Sequence, residues 1–158
     1  MKANTKTFAD SRRLPRLLHG ITRRLPPRAA SRAFIAGLNL SLRHKFPDDV
    51  LARLEGHVFV IEIEDAGLEL TFGVKRGRFV AMPPGPEPML RFRASAWDYA
   101  SLAARMADPD TLFFNRRLVV EGDTELALLV KNTLDTIDIP RTRSLLRGVM
   151  RRIAPRAT

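Results

Sequence analysis

The sequence predicts an α+β fold, in which a single sheet of about five mainly antiparallel strands is covered on one face by helices. Three observations lead to this prediction. The 158 residues are enough for one domain with one sizeable core. Hydrophobic residues alternate with a period of two between residues 57 and 95, and they recur at helical spacing on both sides of that segment. Helices flanking a run of short strands are typical of a two-layer α+β domain.

The N-terminal third predicts three helices. In residues 12–25, leucine and isoleucine recur at helical spacing among arginines, and the Pro26-Pro27 pair ends that helix. A second helix is expected from Ser31, a residue type suited to the N-cap, to about Lys45. Residues 46–56 predict a short capped helix that ends near a glycine.

The central segment predicts a meander of four antiparallel strands, at residues 57–64, 67–75, 78–82 and 89–95. Ala66-Gly67 and Arg76-Gly77 supply tight turns, and the proline-rich residues 83–88 form a loop. The second strand predicts one buried and one solvated face. The buried face holds Leu68, Leu70, Phe72 and Val74, and the solvated face holds Glu69, Thr71, Gly73 and Lys75.

The C-terminal third returns to helices around one more strand. Ser95 and Asp98 form a capping-box-like start. The helix after them would place Tyr99, Leu102, Ala103 and Met106 on one side. A turn at residues 108–110 leads into a short helical piece, then a strand at 116–122 and a long helix over 123–137 that Pro140 ends. That helix would bury a stripe of Leu126, Leu129, Val130, Leu134 and Ile137.

Several function classes lack the residues that their chemistry requires. The chain has no cysteine, and its three histidines stand far apart without the spacing of a zinc site. No GxSxG elbow or phosphate-binding glycine loop occurs, so we predict neither catalytic residues nor a metal site, and no cofactor. The sequence contains no apolar run of 18 residues and no secretory signal, which predicts a cytoplasmic protein.

Charge divides the chain into three predicted parts. Residues 1–45 carry 11 Lys/Arg and 1 acid, residues 46–139 carry 10 Lys/Arg and 16 acids, and residues 140–158 carry 6 Arg and no acid. We therefore predict a basic, partly helical arm over 1–28, a folded domain over 29–139 and a basic amphipathic helix over 140–158. Basic ends suit an anionic membrane or a nucleic acid, or serve only as solvated termini. The acids of the predicted sheet disfavour nucleic acid.

The C-terminal helix predicts peripheral association with an anionic membrane, because an arginine-rich helix with one apolar face suits the lipid interface. Its expected membrane-contact residues are Leu145, Leu146, Arg147, Val149, Met150, Arg151 and Arg152. The same helix could instead cover a binding site in the domain.

Five acids cluster in residues 108–125 and raise the question of a carboxylate site. Asp110 and Asp123 each precede a predicted helix, where a carboxylate accepts backbone N–H bonds. Glu125 gains from the same helix dipole, and Glu121 should face solvent. Helix capping accounts for these acids without chemistry, so the hydrophobic residues between them become the candidate functional surface.

The segment "FFNRRLVVEGDTELALLVKNTLD" resembles the end of the sterol carrier protein type two domain, in its strand, Gly-Asp junction and following helix. The longer segment from residue 108 is similar to a branch of that family, the bacterial accessory factors of oxygen-independent ubiquinone biosynthesis. The resemblance covers roughly residues 30–138, and it implies that the predicted domain over 29–139 is a sterol-carrier-like lipid-binding domain. It implies a non-enzymatic protein that binds polyprenylated ubiquinone precursors or a phospholipid, and that works beside the partner proteins UbiU and UbiV.

The resemblance further implies an apolar tunnel between the sheet and its helices. Helix faces and strand parity in this sequence then select the expected lipid-binding residues: Phe72, Val74, Leu102, Met106, Phe113, Leu126, Leu129, Val130 and Leu134. Three alternatives stay open at this point: a general phospholipid or fatty-acyl carrier, a basic RNA-binding module, and an enzyme acting on a bound lipid.

Overall fold

The computed structural model describes residues 26–137 and, beyond them, residues 144, 147 and 148, which are helical. The predicted helix over 12–25 and most of the predicted C-terminal helix lie outside the described residues. The helices are α1 (Pro27–Ser41), α2 (Asp48–Leu54), α3 (Ala96–Ala103), α4 (Pro109–Phe114) and α5 (Thr124–Thr136). The strands are β1 (Val58–Ile63), β2 (Leu68–Lys75), β3 (Arg78–Ala81), β4 (Leu90–Ala94) and β5 (Leu118–Gly122).

The predicted fold class is confirmed, whereas the predicted meander is wrong at its fourth strand. The strand order is β3-β2-β1-β4-β5, and β1 pairs with β4 in parallel while the other three pairs are antiparallel. The cause is the connection over residues 82–89, which carries β4 past β2 to the far side of β1. A connection rich in proline cannot form the tight hairpin that a meander requires.

The two faces of the sheet differ in chemistry. Strand pairing places Phe59, Phe72, Val74 and Leu90 on the face that packs against the helices, and all four are buried. The opposite face carries the ion pairs of two arginines: Arg91 with Glu62 and Glu69, and Arg93 with Glu64 and Glu121. The sheet is therefore covered by helices on the apolar face, as predicted.

Two residues on the face of β2 that was predicted to be solvated are buried in the structure. Thr71 is 4% exposed, and Gly73 is also buried. A Cβ atom at Gly73 would lie 2.7 Å from the Met82 sulfur and 2.9 Å from the His57 carbonyl oxygen. The central strands are thus covered on both faces near this point, and only Glu69 and Lys75 of the predicted set are exposed.

The first described helix begins earlier than predicted. It starts at Pro27, whose ring fixes φ near the helical value at a position where no N–H donor is needed, and Ser31 lies buried inside it rather than at its N-cap. The Asn39 side chain fixes the helix to the sheet. Its amide nitrogen donates to the Phe79 carbonyl oxygen at 2.8 Å, and its oxygen accepts the Phe79 N–H at 3.0 Å.

The structure shows which acids of residues 108–125 cap helices and which form ion pairs. Asp123 accepts the Leu126 N–H at 2.9 Å, so its predicted role as a cap is confirmed. At the start of α4 the cap is Asp108, which accepts the Thr111 N–H at 2.9 Å, whereas the predicted cap Asp110 forms an ion pair with Lys131 at 2.8 Å. Glu121 is exposed, as expected, and pairs with Arg93.

Candidate functional site

The main core lies between the apolar face of the sheet and helices α1, α2 and α5. It contains five of the nine predicted lipid-binding residues. Phe72, Val74 and Leu126 are 8%, 1% and 8% exposed, and Leu129 and Val130 pack against the same cluster while remaining partly exposed. These five residues, which come from a strand and a distant helix, are therefore brought together by the fold.

Phe72 stands at the centre of a group of aromatic rings. Its ring centroid lies 6.0 Å from that of Phe34, 5.6 Å from that of Phe59 and 6.3 Å from that of Phe79, at tilted or edge-to-face angles. The sequence reasoning did not place these three neighbours at the site. The period-two pattern could have identified Phe59 and Phe79, because both occupy inward positions of their strands, whereas the neighbour on α1 follows only from tertiary packing.

Leu102 belongs to a second cluster, at the other end of the apolar face. It packs against Ala94, Leu112 and Leu118, which are nearly fully buried. The predicted helix around it ends at Ala103, three residues before Met106. Met106 therefore does not continue the helical stripe, and that part of the sequence prediction is wrong. Arg105, at a φ of 54°, ends the helix in the left-handed conformation that a C-terminal cap requires.

Helix α3 is fixed at its start by a buried acid. The Asp98 side chain is 2% exposed, accepts a hydrogen bond from the Ser95 hydroxyl at 2.8 Å and forms an ion pair with Arg117 ahead of β5. Ser95 in turn accepts the Asp98 N–H at 3.1 Å, so its predicted role as the N-cap of this helix is confirmed, and the reciprocal bond comes from the serine hydroxyl. Tyr99 adds a bond from its hydroxyl to the Glu62 carbonyl oxygen at 3.2 Å, and burial raises the pKa of this hydroxyl well above its usual value of 10.0.

Three predicted lipid-binding residues are not in either core cluster. Met106 and Phe113 are each 51% exposed, and Leu134 is 39% exposed. Phe114, which the sequence reasoning did not select, is 81% exposed. The fold thus divides the predicted set into a buried group and an exposed group.

Two arginines connect the ends of α3 and α5 with the C-terminal segment. The Arg105 guanidinium donates to the carbonyl oxygens of Leu134 and Ile137, the latter at 2.8 Å, and so binds the C-terminal end of α5. Arg147 donates from its Nε to the Ala104 carbonyl oxygen at 3.1 Å. Both cations lie at helix C-termini, where free carbonyl groups and the helix dipole favour positive charge.

Of the predicted membrane-contact residues, only Arg147 lies within the described part of the chain, and it is exposed while bonded to the end of α3. The other six, Leu145, Leu146, Val149, Met150, Arg151 and Arg152, lie outside it.

Neither a metal-binding cluster nor a membrane-spanning helix occurs in the described residues. No three His, Asp or Glu side chains among them are placed to hold a metal ion. None of the helices described is long and apolar enough to cross a membrane.

Comparison with known sequences matches the chain to a protein family and to individual relatives. Residues 38–135 match the SCP-2 sterol transfer family. The chain is 39% identical over 117 residues to the ubiquinone biosynthesis accessory factor UbiT of Escherichia coli (strain K12), in an alignment that spans 74% of this chain and 67% of that protein. The UbiT proteins of two other Escherichia coli strains match equally well.

Comparison with solved structures supports the same fold. The UbiJ-SCP2 ubiquinone synthesis protein superposes with a TM-score of 0.56 at 18% identity, covering 67% of this chain and 93% of that chain. The sec-alkylsulfatase Pisa1 from Pseudomonas sp. superposes with a TM-score of 0.52 at 16% identity, covering 73% of this chain and 17% of that chain. At these identities the likeness establishes the fold and nothing about the ligand.

Proposed function

This chain belongs to the SCP-2 sterol transfer family, and we propose that it is a non-enzymatic accessory factor of ubiquinone biosynthesis that binds a polyprenylated precursor. The observation that carries the proposal is the 39% identity with UbiT over 74% of the chain, and the family match over residues 38–135 includes all five strands. The apolar interior of that sheet supplies the chemistry that such a ligand needs.

The proposed binding site is an apolar tunnel between the sheet and α5. Its lining would draw on the buried residues Phe72, Val74 and Leu126, with Leu102 at the opposite end. Leu129 and Val130 are the best candidates for direct ligand contact, because they face the core while remaining partly exposed. Relative to water, each square ångström of apolar ligand surface buried there contributes about 25 cal/mol, so the site would keep a long isoprenoid chain out of water much as the bilayer does.

The proposed cellular role follows from the chemistry of the ligand. A polyprenyl chain is stored in the membrane, so its carrier must reach an anionic membrane surface and act as a cytoplasmic, peripherally associated protein. The 6 arginines of residues 140–158 support reversible docking, since each contributes roughly 1 kcal/mol near such a surface. We propose that the protein acts in the oxygen-independent pathway, beside UbiU and UbiV, and the sequence resemblance supports this proposal.

A second candidate function is a general phospholipid or fatty-acyl carrier. The same apolar interior favours it, because hydrophobic burial does not distinguish one long alkyl chain from another. An RNA-binding role has less support, because the open face of the sheet carries glutamates paired with Arg91 and Arg93 instead of exposed aromatic residues.

Lipid extraction and mass spectrometry of the purified protein test the ligand. We expect an isoprenoid quinone precursor, and a phospholipid alone would favour the second candidate. Leu129→Gln should reduce the bound lipid severalfold, because it places an amide in the apolar layer. Leu128→Gln is the matched control, since the neighbouring side chain on the same helix is 56% exposed. Equal lipid content in both variants, with unchanged melting, would argue against the site.

Two further experiments test the cellular role. Removal of residues 141–158 should weaken pelleting with anionic liposomes, and unchanged pelleting would show that the C-terminal segment is not an anchor. A deletion strain should lose ubiquinone only in anaerobic growth, and an equal loss in air would place the protein elsewhere.

A further inference from the structure

Four exposed hydrophobic side chains lie at one end of the domain. Met106 is in the turn between α3 and α4, Phe113 and Phe114 are on α4, and Leu134 is in the last turn of α5. Two contacts hold these elements together: the ion pair between α4 and α5, and the bonds from the end of α3 to the end of α5. We call these four residues the apolar rim.

Helix α4 holds its two phenylalanines in a fixed outward position. Leu112 is 2% exposed and occupies the only buried position of this short helix. Asp108 caps the start, and the Arg117 N–H closes the end by donating to the Leu112 carbonyl oxygen at 2.8 Å. Phe113 and Phe114 pack edge to face with their ring centroids 5.9 Å apart. The helix therefore holds its two phenylalanine rings in place on its outer side, where the described part of the fold does not cover them.

Among the described charged residues around α4, one arginine that follows the aromatic pair in sequence is not part of an ion pair. Asp110 is paired with Lys131, and Arg117 is paired with Asp98. The Asp108 carboxylate accepts two hydrogen bonds from Thr111 at the far end of the helix. Arg116 is exposed two residues after Phe114 and has no ion pair among the described residues.

One residue of the basic C-terminal segment, Arg147, contacts the domain at this same end. Arg147 bonds the Ala104 carbonyl oxygen at 3.1 Å and the Arg105 carbonyl oxygen at 3.5 Å, directly before Met106. Residues 140–158 hold 6 arginines and no acid. Among the described residues, exposed aromatic side chains and the guanidinium groups of Arg116 and Arg147 are therefore combined at one end of the domain, and the sequence that surrounds Arg147 is rich in arginine.

We infer that the apolar rim is the surface through which the domain enters an anionic phospholipid bilayer. Phenylalanine and leucine side chains insert at the boundary between lipid head groups and acyl chains, and arginines favour the phosphates above them. The inference rests on the proposed membrane docking and adds the part of the folded domain that makes the contact. It also assigns Met106, Phe113 and Leu134 to the membrane, instead of to the interior of the binding site.

Pelleting with vesicles of phosphatidylcholine and phosphatidylglycerol tests the rim in the full-length protein. Phe114→Ser should weaken partitioning about fivefold or more, and Phe113→Ser less, because a smaller part of its ring is exposed. Leu40→Ser is the matched control, since Leu40 on α1 is 87% exposed and lies outside the rim. It should bind vesicles as the unchanged protein does.

Fluorescence quenching gives a second measurement that does not depend on a loss of binding. In vesicles containing brominated lipid, the tryptophan introduced by Phe114→Trp should be strongly quenched, whereas that of Leu40→Trp should not. The single natural tryptophan, Trp97, is 8% exposed and supplies a constant background that the unchanged protein measures.

Three results would overturn the inference. Equal partitioning of the Phe114→Ser and Leu40→Ser variants, together with equal quenching of the two tryptophan variants, would exclude the rim while leaving tail-mediated docking intact. Loss of a dimer in sedimentation of Phe114→Ser, with unchanged vesicle binding, would assign the rim to a second copy of the chain. Absence of vesicle binding by the unchanged protein would remove the rim and the docking together, although lipid extraction would still decide whether the protein binds a precursor.

Discussion

Replacing Asp98 with asparagine should destabilise the protein more than removing the helix cap beside it. The carboxylate holds two groups at once, the Ser95 hydroxyl and the Arg117 guanidinium. Asparagine keeps the size of the side chain and can still bond the serine. It removes the negative charge, so that the partly exposed arginine loses its buried counterion.

The expected magnitude follows from the burial of the two partners. Breaking a fully buried ion pair by removing one member costs about 3–5 kcal/mol. The Asp98 side chain is 2% exposed, but that of Arg117 is 35% exposed, so water replaces part of the lost interaction. We expect a loss of about 2–3 kcal/mol for Asp98→Asn. Ser95→Ala removes an N-cap, which typically contributes about 1 kcal/mol.

Urea denaturation followed by circular dichroism measures both losses. For a protein of this size, the Asp98→Asn variant should also melt roughly 5–10 °C lower. Adding Arg117→Met should recover part of the stability, because the double variant leaves no unpaired charge. Equal destabilisation by Asp98→Asn and Ser95→Ala, or strict additivity with Arg117→Met, would refute the ion pair as the dominant interaction.

Two other predictions follow from single positions. Tyr99 is the only tyrosine, and burial raises its pKa above 10.0. Because the folded state holds the phenolic proton more tightly than the unfolded state does, the free energy of unfolding is highest below pH 10 and declines at higher pH. Titration of the folded protein, followed by tyrosinate absorbance, measures this pKa. A midpoint near pH 10 would contradict the prediction. Gly122→Ala should cost at least about 3 kcal/mol in urea denaturation, because its φ is +116° and a Cβ would lie 2.1 Å from the Met89 carbonyl oxygen. Gly37→Ala in α1, where a Cβ would meet open space, should instead stabilise the protein by about 0.5–1 kcal/mol. Similar losses of stability in the two variants would show that local strain at Gly122 is not the cause of its effect.

The elements that the sequence predicted well are those with local causes. Alternation of hydrophobic residues located the first four strands to within about one or two residues, because each strand has one apolar face. The Ser95 and Asp123 caps were identified because the bonds that they accept come from residues only three positions later. Such short-range patterns do not depend on the rest of the fold.

The errors come from interactions between distant parts of the chain. Pairing of β4 with β1 depends on how residues 82–89 cross the sheet, and no pattern inside β4 encodes that partner. Burial of Thr71 depends on coverage of the second face of the sheet, which alternation alone cannot indicate.

The predictions for the candidate site were also correct for some residues and wrong for others. Strand parity and helix faces correctly grouped Phe72 with Leu126 in one core. Extension of the α3 pattern to Met106 was wrong, because Arg105 adopts a left-handed conformation and ends the helix early. The exposure of Phe113 depends on the orientation of α4, which turns Leu112 inward, and the sequence of this short helix does not encode that orientation.

The bonds between Asn39 and Phe79 have a consequence for the solubility of the protein. β3 is an edge strand, and the backbone groups of its outer side would otherwise be open to pairing with a strand of another molecule. The amide of Asn39 offers one donor and one acceptor to the same residue, as a neighbouring strand would, and so occupies this position of the edge. Because exposed hydrophobic side chains such as Phe114 also favour self-association, this side chain removes one route to aggregation without burying any of them.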